Sequence, residues 1–559
     1  MTLTRGTAES RRPLGSTPQG DPLPRLSARF APAVAGSSRW AGWLGPLLVA
    51  AVALGLRLWQ LSRPDQITFD ETYYAKDAWS LSRFGFVQET TEAADDRINA
   101  GELDARIFTG GPAQIVHPEV GKWMLALGIR VFGMDPFGWR VGAAVAGALT
   151  VLVLCRLVRR LSGSTLVGCL AGLLLCFDGL HLVLSRTALL DVFVALWLVC
   201  AVACLVADRD WGRRRLLRLV GPDGLGPPGG TGSWGPVRPM LWRPWRIAAG
   251  VCFGLACGSK WNGVFVLAAF GLVVWAWDAG ARRAIGVSAA WARSLVADAV
   301  PAFFSLVGVA LVVYVSTWTG WLVHHEQMQD AYAEAYSWGA YASEEPASWP
   351  GETQQAVRDL WNYHEQMWHF HTVSVVDTTR DDPHPYESNP RGWLLTSRPV
   401  GIDLQGDIAP GEQGCTAPES ETCLRQVLAL GNPAVWWLGA AALLGSVWQW
   451  VARRDWRFGV PVVAVTASWL PWFRWDDRSI CFFYAVTMIP FTCAALALVL
   501  GAALGPPTAT ASRRHAGAVA VGLVLLAVVV CFAFFWPIWT DELIRNSQWE
   551  RRMWFDRWT

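Results

Sequence analysis

Lysine is almost missing from this chain: of 47 basic residues in 559, only Lys76, Lys122 and Lys260 are lysine and the rest are arginine. A compact ammonium kept at three places in an arginine-rich chain points to chemistry rather than solubility. Charge is sparse altogether, 16% of residues with a net charge of +2. No basic stripe is present to follow a phosphate backbone, so nucleic acid is not an expected partner. No glycine-rich loop of the phosphate-cradling kind occurs, which argues against a nucleotide-sugar donor. No internal repeat is visible and the informative charges avoid the middle of the apolar segments, which disfavours a multispan transporter. Residues 1–38 are rich in Ser, Pro and Arg and lack an apolar core before Trp40. They read as a disordered cytoplasmic tail rather than a signal peptide.

What the chain has is apolar length. A hydrophobic fraction of 53%, with 35 Trp, exceeds what a soluble core of this size needs and puts the chain in a lipid bilayer. Apolar stretches near 40–59, 137–155, 165–183, 187–207, 246–259, 262–278, 298–320, 433–451, 458–473, 479–504 and 516–537 predict an all-α integral membrane protein of about eleven transmembrane helices. Arginines before the first stretch, at 156–160, 209–218, 282–293, 453–457 and 513–514, fall in alternate loops and mark the cytoplasmic side. Two long extracytoplasmic loops follow, at about 61–137 and 321–432. The expected organisation is an N-terminal transmembrane module, 39–320, then the second outer loop, C-terminal helices over 433–537, and an extracytoplasmic tail, 538–559. The cytoplasmic segment from Arg209 to Trp245, with Gly-Pro-Pro-Gly-Gly at 226–230, reads as a flexible linker. Ten of the twelve cysteines lie within spans; Cys415 and Cys423, in the second outer loop, either close a short disulfide or stay as two thiols.

Long polar loops carry function more often than spans do. The first outer loop opens with Phe69-Asp70-Glu71-Thr72-Tyr73-Tyr74-Ala75-Lys76. Transfer of a sugar from an activated lipid needs a carboxylate at the acceptor hydroxyl and cations for the departing phosphate. Asp70 and Glu71 could supply the first, because neighbouring acids near a low-dielectric boundary differ in proton affinity. Tyr73, Tyr74 and Lys76 support that reading; a helix cap or a solvated pair is the plain alternative. Farther on, Val116-His117-Pro118-Glu119-Val120-Gly121-Lys122-Trp123 leads into an amphipathic stretch that could lie on the membrane and present Lys122 to a lipid phosphate, with His117 beside it. Arg140, at the outer end of the second span, could grip phosphate with two parallel bonds, or simply snorkel. Ser185-Arg186 and Leu190-Asp191 follow the third span, and Asp191, inside an apolar run, calls for a cation such as Arg186 or a loop lysine. Lys260 lies at the same outer level as Lys122, so Lys122, Arg140, Lys260 and Arg186 are the candidate phosphate ligands. The histidines of Tyr363-His364-Glu365-Gln366-Met367-Trp368-His369 are five apart, which fails the zincin spacing. Neither a metal nor a cofactor is expected.

These residues together resemble the polyprenyl-phosphate-mannose-dependent protein O-mannosyltransferases, integral membrane enzymes of the GT-C class. The likeness runs from about Trp40 to the last span. It rests on Phe69-Asp70-Glu71 with Tyr73 and Tyr74, His117-Pro118 to Lys122-Trp123, Phe137-Gly138-Trp139-Arg140, Ser185-Arg186 with Leu190-Asp191, and Lys260-Trp261. The resemblance implies inverting transfer of mannose from polyprenyl phosphate mannose to Ser or Thr hydroxyls of exported proteins, at the outer face of a bacterial plasma membrane and near the secretion machinery. It also implies that the acidic pair is catalytic and that Arg140 matters for activity. The chain departs from the family in having Glu119 where His-Pro-Pro is common, and it lacks an inserted MIR-type sugar-binding module. Transfer to a glycolipid or wall polymer by the same architecture is the second reading.

Overall fold

The computed structural model describes residues 40–221, 234–332, 351–376, 384–506 and 508–559, with Leu26 and Phe30. The rest of the 1–38 tail and the Gly-Pro-Pro-Gly-Gly linker lie outside the described residues. Each of the eleven apolar stretches contains helix, although the run 479–504 becomes α-helical only at Ile489, after a 3-10 segment at Phe482–Thr487. In chain order the helices that frame the site are α1 (Ala41–Leu58), α2 (Glu71–Phe84), α3 (Val120–Phe132), α4 (Pro136–Ser162), α5 (Thr165–Cys176), α6 (Gly179–Leu184) and α7 (Asp191–Val220). They continue with α8 (Pro244–Ser259), α9 (Gly263–Ala284), α10 (Ala290–Ser316, with two π-helical turns), α11 (Gly351–His369), α12 (Pro433–Val451), α13 (Trp456–Trp469), α14 (Ile489–Leu504) and α15 (Ala511–Trp539). Among the described residues six helices, α4, α7, α9, α10, α12 and α15, are long and apolar enough to cross a membrane by themselves.

Local sequence sets the ends. Asp135 caps α4 by accepting from the Gly138 amide at 2.7 Å, with Pro136 pre-set at the first helical position. Gly85 ends α2 at φ +81°, a conformation that spares a residue without Cβ any clash. The third stretch breaks: α5 stops at Cys176 and Asp178 caps α6 through the His181 amide. The irregular part of the segment expected as a linker over 209–245 begins later than expected. Arg209–Arg218 continue α7 as helix to Val220, because nothing in that run breaks a helix before Gly221.

Two small sheets lie in the loops. Strands β1 (Gln88–Thr90) and β2 (Phe108–Pro112) pair antiparallel in the first outer loop. In the second, β3 (Val400–Ile408) pairs antiparallel with β4 (Cys423–Ala429), and β4 with β5 (Ile544–Arg545) from the C-terminal segment. Cys415 and Cys423 are disulfide-bonded, which resolves the pair in favour of the bridge.

The helix α3 lies against α4 at glycine: a Cβ on Gly142 would meet the Met124 carbonyl at 2.5 Å. Its outward face, Trp123, Leu127, Val131 and Phe132, is exposed and apolar, as a helix lying on a membrane surface requires. Lys122, expected on that surface, is instead buried, because its place in the first turn of α3 turns it inward onto α2.

Candidate active site

The acidic pair splits. Glu71, in the first turn of α2, is buried and every lone pair it offers is taken. Arg140 holds it with a two-pronged grip, Nε to Oε1 at 2.8 Å and Nη2 to Oε2 at 2.7 Å. The Ala188 amide donates to Oε1, while the Thr68 amide and hydroxyl donate to Oε2. Asp70 stands apart: among the described residues no hydrogen bond reaches its carboxylate. Phe69, just before it, has φ +50°, a costly conformation for a bulky residue that the surrounding contacts, including an edge contact of its ring with Phe483 at 5.8 Å, hold in place. Burial pushes the Asp70 carboxyl up to about 6, with Lys260 pulling it down and Asp191 pushing it up.

The four cations expected to bind phosphate have separate fates. Arg140 is buried and committed; beyond Glu71 it donates to the carbonyls of Leu61, Pro64 and Gln66, which leaves no fork for phosphate. Arg186 closes the carbonyl end of α1, donating to Leu56, Arg57, Trp59 and Gln60, so it pairs with neither Asp191 nor a ligand. Lys122 forms an ion pair with Asp77 at 2.9 Å. Lys260 is the partner of Asp191, at 2.9 and 3.2 Å, and stands 4.7 Å from the Tyr484 ring centroid. Only Lys260 of the four also lines the large cavity of the described residues. Lys76 is paired with Asp95 at 2.7 Å, Tyr73 is exposed, and Tyr74 is buried with its ring 6.3 Å from that of His117.

That cavity, about 520 Å³, is lined by both polar and apolar side chains. The polar lining includes Lys260, His117, His371, Arg478 and Tyr484; the apolar lining includes Val264, Leu267, Val307, Ala310 and Leu311. Such a pairing of anion-seeking and hydrocarbon lining suits a lipid phosphate. His117 and His371 stack at 5.1 Å, and the His371 Nε2 faces the Val116 carbonyl at 2.9 Å. Burial holds both imidazoles below their ordinary range, His371 at about 4 and His117 well down, with Lys260 acting in the same sense. Arg478, which donates to the His371 carbonyl at 3.2 Å, was not singled out from the sequence. The signal existed: Arg474 and Arg478 sit outside the cytoplasmic arginine clusters, against the inside bias of that residue. Among the described residues no group of three or more His, Cys, Asp or Glu is placed to hold a metal ion.

The helical frame has a counterpart among solved structures. The S. cerevisiae protein O-mannosyltransferase Pmt1-Pmt2 complex bound to the sugar donor superposes with a TM-score of 0.67, covering 95% of this chain and 94% of that one at 14% identity. The helical frame is of the GT-C fold class. Residues 121–216 match the model of dolichyl-phosphate-mannose-protein mannosyltransferase, and 356–558 that of the C-terminal four-transmembrane region of protein O-mannosyltransferase. The polyprenol-phosphate-mannose–protein mannosyltransferase of Mycobacterium tuberculosis is 35% identical over 525 residues, 93% of this chain and 92% of that one. Its namesake in Corynebacterium glutamicum is 32% identical over 490 residues, 88% of each. The chain belongs to the protein O-mannosyltransferase family, and is an integral membrane enzyme.

Proposed function

We propose that the chain transfers mannose from polyprenyl phosphate mannose to Ser or Thr hydroxyls of exported proteins, on the outer face of a bacterial plasma membrane. The acceptors would arrive as they leave the secretion machinery. The reading is carried by one observation: Asp70, alone of the acidic pair, has a carboxylate that no hydrogen bond reaches among the described residues, and it lies in the field of Lys260, which lines the cavity.

Asp70 takes the proton of the acceptor hydroxyl as that oxygen attacks the anomeric carbon from the face opposite the phosphate. The bond between that carbon and the phosphate oxygen breaks, its electron pair leaves on polyprenyl phosphate, and the configuration inverts. Lys260 and Arg478 balance the charge growing on the phosphate, the electrostatic contribution that dominates such reactions. Glu71 is recast as a positioning residue, and Arg140 with it: together they fix the start of α2 and hence the direction of Asp70. Of the seven remaining candidates, Arg186, Lys122, Lys76 and Tyr73 are assigned no contact with substrate.

The test incubates membranes carrying the chain with labelled polyprenyl phosphate mannose and a Ser/Thr-rich exported peptide. Label on the peptide that disappears in Asp70→Asn supports the reading. Label appearing on lipid or wall polymer instead would replace it with the second acceptor class.

A further inference from the structure

Beyond the acid and the cations, the cavity wall contains a hydrogen-bond chain that no step of the reaction uses. The Trp261 indole Nε1 donates to the Tyr314 hydroxyl at 2.8 Å, and that hydroxyl meets His364 Nε2 at 2.7 Å. His364 Nδ1 lies 2.7 Å from the Leu360 carbonyl. A carbonyl only accepts, so Nδ1 carries the proton, Nε2 is a lone pair, and the Tyr314 hydroxyl must donate to it. Its oxygen is then free to accept from the indole, and all three bonds run in one direction. Burial, which holds the His364 imidazole below its ordinary range, keeps this neutral tautomer in place.

The chain joins three separate elements at the cavity. Trp261 follows Lys260 directly, in the tight turn between α8 and α9 where the Gly263 amide donates to the Lys260 carbonyl. Tyr314 is at the outer end of α10, and His364 is on α11 of the second outer loop. All three side chains line the cavity, with the Trp261 and His364 rings stacked at 5.9 Å. On α11 Trp361, His364 and Trp368 recur at i, i+3 and i+7 and share one face of the helix, and Trp368 lines the cavity beside His364.

We propose that Tyr314 and His364 are positioning residues for the lipid-phosphate donor, holding Trp261, and with it the turn that carries Lys260, while seating α11 as one wall of the cavity. The proposal rests on the reading of the cavity as the donor site.

The test measures donor and acceptor-peptide KM and kcat in Tyr314→Phe, His364→Ala, His364→Gln and the Tyr314→Phe/His364→Ala double variant. Tyr314→Phe removes one hydroxyl and both of its bonds, and should raise donor KM about three- to tenfold with kcat and acceptor KM near parent values. His364→Ala should match it, the double variant should be no worse than either, and His364→Gln, which restores an acceptor, should return donor KM to within about twofold. Donor KM unchanged in Tyr314→Phe, or donor and acceptor KM rising together, overturns the proposal. Lys260→Ala separates the two levels. If it raises donor KM and Tyr314→Phe does not, the positioning role alone falls; if neither does, the donor-site reading falls with it.

Discussion

Arg140 and Glu71, 69 residues apart, form a closed two-bond ion pair with both side chains buried. The acid next to Asp70 is therefore a joint between the first long loop, α4 and the turn ahead of α7, which leaves Asp70 as the proposed base.

Removing one member of a buried ion pair strands the other charge. Arg140→Ala should cost about 3–5 kcal/mol of stability, seen as a lower unfolding midpoint in detergent and reduced yield. Arg140→Lys should restore little, because an ammonium cannot reproduce the fork. Parent-like stability with a raised donor KM in Arg140→Ala would return this arginine to the phosphate.

Asp70 acts as a base only when ionised, and burial has pushed its carboxyl up to about 6. Turnover at limiting substrate should fall as pH drops through about 6, and Asp70→Asn should lower kcat by about 10²–10⁴-fold without loss of fold. The linkage has the opposite sign from that of an ordinary ion-paired acid. The folded state holds this proton more tightly than the unfolded one, so the contribution to stability is full below about pH 4 and is lost as pH rises through about 6. Asp70→Asn should therefore be at least as stable as the parent at pH 7; a large loss of stability there would mark Asp70 as structural.

Two of the lysines should separate cleanly in kinetics. Lys260→Ala and Arg478→Ala should each raise donor KM about 10- to 100-fold, the range of a charge-assisted hydrogen bond. Lys122→Ala should lower stability and leave donor KM near the parent value, since its ammonium belongs to Asp77. A donor effect confined to Lys122→Ala would move the phosphate site to the start of α3.

The Cys415–Cys423 bridge closes a short loop next to β4, with a sequence separation of 8. Replacing both cysteines by serine, or adding reductant, should cost about 2–3 kcal/mol in the outer domain. Unfolding followed by thermal scan checks it; an unchanged midpoint in both conditions would show that the sheet stands without the bridge.

Much of the helical frame was legible because a long apolar run has few alternatives to a buried or membrane-spanning helix. Asp70, Glu71, Lys260 and Asp191 could be named for the same reason: charge at the end of an apolar run has few explanations. What each charge touches was not legible. Sequence reasoning gave Arg140, Arg186 and Lys122 to the ligand because unpaired cations at one level look alike, whereas their partners, a carboxylate 69 residues away, the last carbonyls of α1, and Asp77 on α2, come together only through long-range packing. Arg478 and Tyr484 were missed because they sit more than 200 residues beyond Lys260 in a short connection.

The grip of Arg186 on the end of α1 has a mechanical corollary. With that arginine welding the first helix to the hairpin behind it, and Arg140 bolting the loop above, the part of the molecule that bears Asp70 is braced at two points, as an anvil is.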